Sequence, residues 1–170
     1  MNNFLSRFKN YGLLEILVLS SAVFVVGMLL WTASTRSAVE EKANTVKSNH
    51  KQIVDFINTE INKCDQGDEN SKTIWGDLCK GEWLSLKVIE YINSNMEMVN
   101  PYSSNKEILK QAQDPRLQAE GKAGQSTEMG VIFLSSQNIS SEAGSEWVIG
   151  TCVKSPCVAA GNNELTSVYR

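Results

Sequence analysis

The chain has 170 residues and a formal net charge of -3, from 16 basic and 19 acidic side chains. Because its net charge is negative and its lysines and arginines are scattered, the sequence gives no general electrostatic case for binding nucleic acid. It contains no phosphate-binding glycine loop, nucleophile elbow or paired His/Glu motif, so it predicts no enzyme, no catalytic residue, no metal and no cofactor.

The N-terminal segment is typical of a membrane helix. Residues 1–10 are polar and include Arg7 and Lys9, and the run Leu13–Ala33 then carries a single charged residue, Glu15. About 20 apolar residues in a helix cross the hydrocarbon core of a bilayer. No basic residue follows until Arg36, so the N-terminus is predicted in the cytoplasm and the later chain outside it. The run is longer than the apolar region of an ordinary secretory signal peptide, which makes that alternative weaker.

The lone carboxylate of this segment needs an explanation. A charge within a membrane helix costs a few kcal/mol unless it is paired, and such residues usually have a function. One interpretation is that Glu15 is close enough to the membrane interface to be tolerated. The other is that a cation pairs with it, and a free α-amino group four residues upstream would serve if the chain were cut before Tyr11.

The run Lys9–Glu15, KNYGLLE, resembles the processing site of type IV prepilins. That site has a short basic leader, an aromatic residue that becomes the new N-terminus, and a glutamate at the fifth mature position, which Tyr11 and Glu15 match. The resemblance implies that a prepilin peptidase cuts between Asn10 and Tyr11 and that Tyr11 is N-methylated. Asn10 stands where the family usually has glycine, and a cut after Gly12 would break the spacing to Glu15.

The resemblance also implies a function. The protein would be a structural subunit of a bacterial type IV pilus, held in the inner membrane before an assembly platform there adds it to an extracellular homopolymer for adhesion, motility or uptake. Glu15 of one subunit would then meet the Tyr11 amine of a neighbour. A minor pilin or a type II secretion pseudopilin would have the same N-terminus. The alternative from another class is a single-span protein whose outer domain binds a ligand and does not polymerise.

The helix is predicted to continue beyond the membrane. No proline or glycine lies between Ser34 and Ile61, so one helix is expected from Tyr11 to Lys63, with a membrane and filament-core part at 11–33 and an amphipathic part at 34–63. His50, the only histidine, lies on the apolar face and is predicted to be a partly buried packing residue. The apolar face consists of Val39, Ala43, Val46, Ile53, Ile57 and Ile61, and the polar face of Glu40, Glu41, Lys47, Lys51, Asp55 and Glu60.

Residues 64–128 are predicted to be a connecting region. A short helix is favoured at Trp83–Asn93, although a strand is possible there. Lys106–Gln113 is predicted to form one or two helical turns, which Asp114-Pro115 would end.

The composition changes to that of strands at residue 129. A polar turn region is predicted at Gln137–Glu146. The fold class is therefore α+β, with a long helix packed against a small antiparallel sheet at 129–170, which is the pilin fold that the resemblance implies. The predicted strands are Met129–Leu134, Trp147–Val153 and Leu165–Tyr169.

Four cysteines lie in the predicted exported part. In an oxidising compartment an even set indicates disulfides, with several connectivities open. Their short separations favour the pairs Cys64–Cys79 and Cys152–Cys157. The second pair would close a C-terminal loop, a feature that resembles the loop of pilins.

Overall fold

The computed structural model describes residues 12–65, 74, 85–104, 107–122, 128–140 and 144–169. Its internal contacts divide the chain into two units, Met1–Glu40 and Glu41–Arg170. Helix α1 spans Leu13–Asp65 and supplies residues to both units. The predicted long helix is confirmed from Leu13 onward, and Tyr11 lies outside the described residues.

The length of α1 follows from its composition. Gly27 is the one glycine within the helix, and there is no proline. A single interior glycine costs about 1 kcal/mol relative to alanine, too little by itself to interrupt a helix of this length.

The second unit adds two short helices and a four-stranded sheet to the C-terminal part of α1. The four strands lie side by side in chain order; the first pairs with the second in parallel, and the remaining pairs are antiparallel. The predicted α+β class, a long helix with a small sheet, is confirmed, but the sheet is mixed rather than antiparallel throughout. The elements are α2 (Ser85–Asn95), β1 (Leu109–Gln111), α3 (Pro115–Ala119), β2 (Ile132–Ser140), β3 (Gly144–Cys152) and β4 (Asn163–Tyr169).

The helical turns predicted at Lys106–Gln113 are wrong, because this segment contains β1. The amide of Ile132 donates to the carbonyl of Ile108 at 2.8 Å, and the amide of Ala112 donates to the carbonyl of Leu134 at 3.1 Å. A short apolar run has no clear periodicity, so pairing with β2 decides its conformation.

The Asp114-Pro115 pair begins a helix rather than ending one. The Asp114 side chain accepts a hydrogen bond from the amide of Arg116 at 2.9 Å, and Pro115 occupies the first turn of α3, where no backbone donor is needed. This short helix lies in the connection that makes the parallel β1–β2 pairing possible, because parallel strands need a crossover.

The polar turn predicted at Gln137–Glu146 is also shorter than expected. Strand β2 continues to Ser140 and β3 begins at Gly144, with Ser140 and Gly144 as register partners. Earlier in the chain, α2 confirms the choice of helix over strand for the segment after Trp83, within the part that the structure describes.

The apolar face of α1 forms one side of the core of the second unit. Ile53 and Ile57 are fully buried, and Ala43 and Val46 pack with Val153 near one end of the sheet. Val39, in the first unit, is the exception to the predicted face, since its side chain is 43% exposed. The main cluster contains Ile53, Ile57, Ile61, Val88, Ile92, Ile108, Leu109, Ile132, Leu134, Trp147, Ile149 and Val168.

Candidate functional site: the apolar part of helix α1

Glu15 closes the first turn of α1. Its Oε2 accepts a hydrogen bond from the amide of Gly12 at 3.1 Å, and the amides of Glu15 and Ile16 donate to the carbonyl of Gly12 at 3.0 and 3.2 Å. Gly12 is therefore the N-cap, and Glu15 supplies the carboxylate half of a capping box. The N-terminal end of the helix dipole further favours a negative charge at this position.

The predicted partner of Glu15 is not among the described residues. Asn10 and Tyr11, the residues of the predicted cleavage and methylation site, both lie outside them. Within the part that is described, the Gly12 amide is the hydrogen-bond partner of the Glu15 carboxylate. Pairing with a Tyr11 amine stays a prediction.

Large apolar side chains are exposed along the turns of α1 that follow Glu15. Their exposed fractions run from 45% for Ile16 to 75% for Trp31. Soluble proteins rarely leave a contiguous apolar surface larger than a few hundred Å² uncovered. A surface of this kind is compatible with lipid around it. The surface is formed by Ile16, Leu17, Val18, Leu19, Val23, Phe24, Val25, Val26, Met28, Leu29, Leu30 and Trp31, here called the apolar sleeve.

The hydroxyl groups of this segment are satisfied within the helix. Ser20 donates to the carbonyl of Leu17 at 2.9 Å, and Ser21 to that of Val18 at 2.8 Å. Thr32 makes the equivalent bond to the carbonyl of Leu29 at 3.0 Å. Because unpaired polar groups are costly in an apolar medium, these internal bonds let the segment lie in one without water.

By length and composition, α1 is able to cross a membrane. It is the one such helix in the described part of the chain, it lies near the N-terminus, and none of its most apolar window is buried within the protein. The predicted membrane segment is consistent with this finding.

His50, on α1, packs against β4 as predicted, but it is more fully buried than predicted. Its side chain is 4% exposed, and its Nε2 lies 2.9 Å from Oγ1 of Thr166. Burial lowers the pKa of His50 to about 4, although the carboxylate of Glu164 acts in the opposite direction. The ring is therefore neutral at neutral pH. The described residues contain no group of three side chains able to hold a metal ion.

One predicted disulfide is present. Cys152 and Cys157 are bonded, with their Cα atoms 5.2 Å apart. Cys64 is also in a disulfide, but Cys79 lies outside the described residues, so the pair Cys64–Cys79 stays a prediction. The loop closed by the Cys152–Cys157 bond is also stabilised by Asn162, whose Nδ2 donates to the carbonyl of Pro156 at 2.9 Å.

Sequence reasoning misplaced Glu60 and missed the role of Asn100. Glu60, predicted on the polar face of α1, is 3% exposed, pairs with Lys63 and accepts a hydrogen bond from the amide of Ile74 at 3.0 Å. Asn100 is equally buried and links two loops: its Nδ2 donates to the carbonyl of Met129 at 3.1 Å, while its Oδ1 accepts from the amide of Tyr102 at 2.9 Å. The Asn100-Pro101 pair signalled a turn but not this linkage.

Comparison with protein-family models, with curated proteins and with solved structures finds no match to this chain.

Proposed function

We propose that the protein is a structural subunit of a type IV pilus, which leaves the inner membrane to polymerise through the apolar sleeve of α1 into an extracellular filament. The single observation that carries the proposal is the exposure of large apolar side chains from Ile16 to Trp31, with a carboxylate at the first turn of the same helix.

The energetics of transfer support a segment that is able to change its surroundings. Moving the apolar sleeve from lipid into a bundle of identical helices changes little in hydrophobic free energy, because lipid tails are as apolar as leucine. The internal hydrogen bonds of Ser20, Ser21 and Thr32 are also kept in either medium. Packing and charge pairing are then left to decide the arrangement of neighbouring subunits.

Glu15 supplies the charge for that arrangement. Its carboxylate already accepts one hydrogen bond from Gly12, and a cation from a neighbouring subunit would complete its compensation. At low effective dielectric, an unpaired charge is strongly disfavoured, whereas a pair is tolerated. The pairing of Glu15 with a neighbour's mature N-terminal amine would therefore select one stagger. Such a head-to-tail contact does not close on itself and gives a helical fibre.

The second unit fits an exported position. A disulfide such as Cys152–Cys157 forms and persists in oxidising compartments. The sheet, with its loop closed by this bond, would form the outer layer of the filament.

The deciding experiment is mass spectrometry of the mature protein from the producing cells, combined with electron microscopy of sheared filaments. We expect a chain that begins at N-methylated Tyr11 and is present in the filaments. The control is the same protein from cells without prepilin peptidase, which should begin at Met1 and form no filaments. A dispersed protein that keeps its first ten residues in wild-type cells would instead support the single-span membrane protein.

A further inference from the structure

We propose that His50 is an acid-operated latch, which holds α1 against β4 while its ring is neutral and releases this contact when the ring is protonated. The latch consists of the His50 ring on α1 and the hydroxyl of Thr166 on β4, 2.9 Å from Nε2. It lies wholly within the second unit, so this inference does not depend on polymerisation.

The surroundings of His50 accept a neutral ring and penalise a charged one. Val46 and Ile53, about one turn before and after it on α1, are both fully buried. Nδ1 is buried and has no hydrogen-bond partner in the described part of the chain. A proton added there would give a buried N–H group with neither water nor an acceptor, and such a group is costly.

The charged groups facing the ring come from both packed elements. Glu164 on β4 favours the protonated ring, but its Oε1 lies 3.3 Å from Nζ of Lys47 on α1. Lys47 thus partly neutralises the carboxylate that would otherwise hold the imidazolium. Both side chains of this ion pair are about two-fifths exposed, 41% and 38%, so water screens them as well. Burial therefore outweighs the attraction.

The sign of the pH dependence follows from this balance. The pKa of His50 is about 4 while its contact with Thr166 is closed, and it is 6.5 when the ring is free in water. The closed contact has its full stability above pH 6.5 and loses it as the pH falls towards 4. Between pH 7 and pH 5, the equilibrium constant for opening should rise roughly 20-fold.

The test is amide hydrogen exchange of the full-length protein in detergent micelles, corrected for the intrinsic pH dependence of exchange. In the wild type, opening of the β4 amides around Thr166 should rise roughly 20-fold from pH 7 to pH 5. His50→Gln keeps a polar side chain without a titratable ring, and its opening should not change over this range. Leu134, on β2 and separated from β4 by β3, reports on global unfolding.

Each outcome decides the proposal. A rise confined to α1 and β4 with its pairing partners on β3 that disappears in His50→Gln supports the latch. An equal rise in both proteins, or a rise at Leu134 as well, overturns it. Should His50→Gln fail to fold, the wild type alone suffices, because its single histidine gives an unambiguous imidazole signal in NMR. A midpoint near 4 that coincides with opening supports the latch, and a midpoint near 6.5 without opening refutes it.

Discussion

The amide of Gly12 donates to the carboxylate of Glu15 at 3.1 Å, so the one acidic side chain of the apolar segment caps its own helix. This bond occupies Oε2 and leaves the charge of the group in place. Capping and charge are therefore two separable properties of the same residue.

Substitutions at Glu15 distinguish these two properties. Glu15→Gln keeps an oxygen that accepts from Gly12 but removes the charge, whereas Glu15→Ala removes both. If a charge pair sets the stagger of subunits, we expect both variants to accumulate in the membrane with a normally processed N-terminus and to form few or no filaments. Sheared filaments counted by electron microscopy, with immunoblots of the membrane fraction, measure this. Normal filaments from Glu15→Gln would show that capping alone is required.

Gly130 and Gly161 form a matched pair for the loops around the sheet. Both have a positive φ, 77° and 78°, so alanine at either position is strained by about 1–2 kcal/mol. At Gly130 the added Cβ would also lie 2.3 Å from Oδ1 of Asn100, whereas at Gly161 nothing lies within 4 Å. We expect Gly130→Ala to lower the free energy of unfolding by about 3 kcal/mol or more, and Gly161→Ala by the strain alone. Thermal unfolding in detergent, followed by circular dichroism, checks this, and equal losses would contradict the role of Asn100.

The residues of the predicted apolar face of α1 should contribute unequally to the free energy of unfolding. Ile57 is fully buried and Val39 is 43% exposed. Ile57→Ala should cost about 2–5 kcal/mol of unfolding free energy through lost burial and a cavity. Val39→Ala should change it by less than about 0.5 kcal/mol. Denaturant titration of the two variants measures the difference, and a comparable loss for Val39→Ala would mean that this side chain packs against the protein after all.

The bond between Cys152 and Cys157 should stabilise the protein even though the loop that it closes is short. Replacing both cysteines with alanine removes a constraint on the unfolded chain worth about 2 kcal/mol for a loop of this length. We expect a lower melting temperature with the sheet retained. Asn162→Ala is the control: it keeps the disulfide and removes the hydrogen bond to the carbonyl of Pro156. A double variant as stable as the wild type would show that Asn162 and its neighbours hold the loop without the bond.

Two errors of prediction have the same origin. The local sequence predicts helical turns around Leu109 and places Glu60 on the polar face of α1, because each prediction rests on near neighbours in sequence. In the structure, Leu109–Gln111 pairs in parallel with β2 as an edge strand. The amide of Ile74 donates a hydrogen bond to the carboxylate of Glu60. Both contacts join residues that are far apart in sequence, so periodicity does not contain them.

The same distinction separates what sequence and tertiary structure each determined. Local pattern alone was enough for the long helix, its apolar N-terminal part, the Cys152–Cys157 bond and the antiparallel strands, since these depend on spacing along the chain. Only tertiary structure decided the parallel β1 edge, the burial of Glu60 and Asn100, and the setting of His50 against Thr166. Those features depend on which distant groups meet when apolar area is buried, and a polar side chain is tolerated there only where a partner happens to face it.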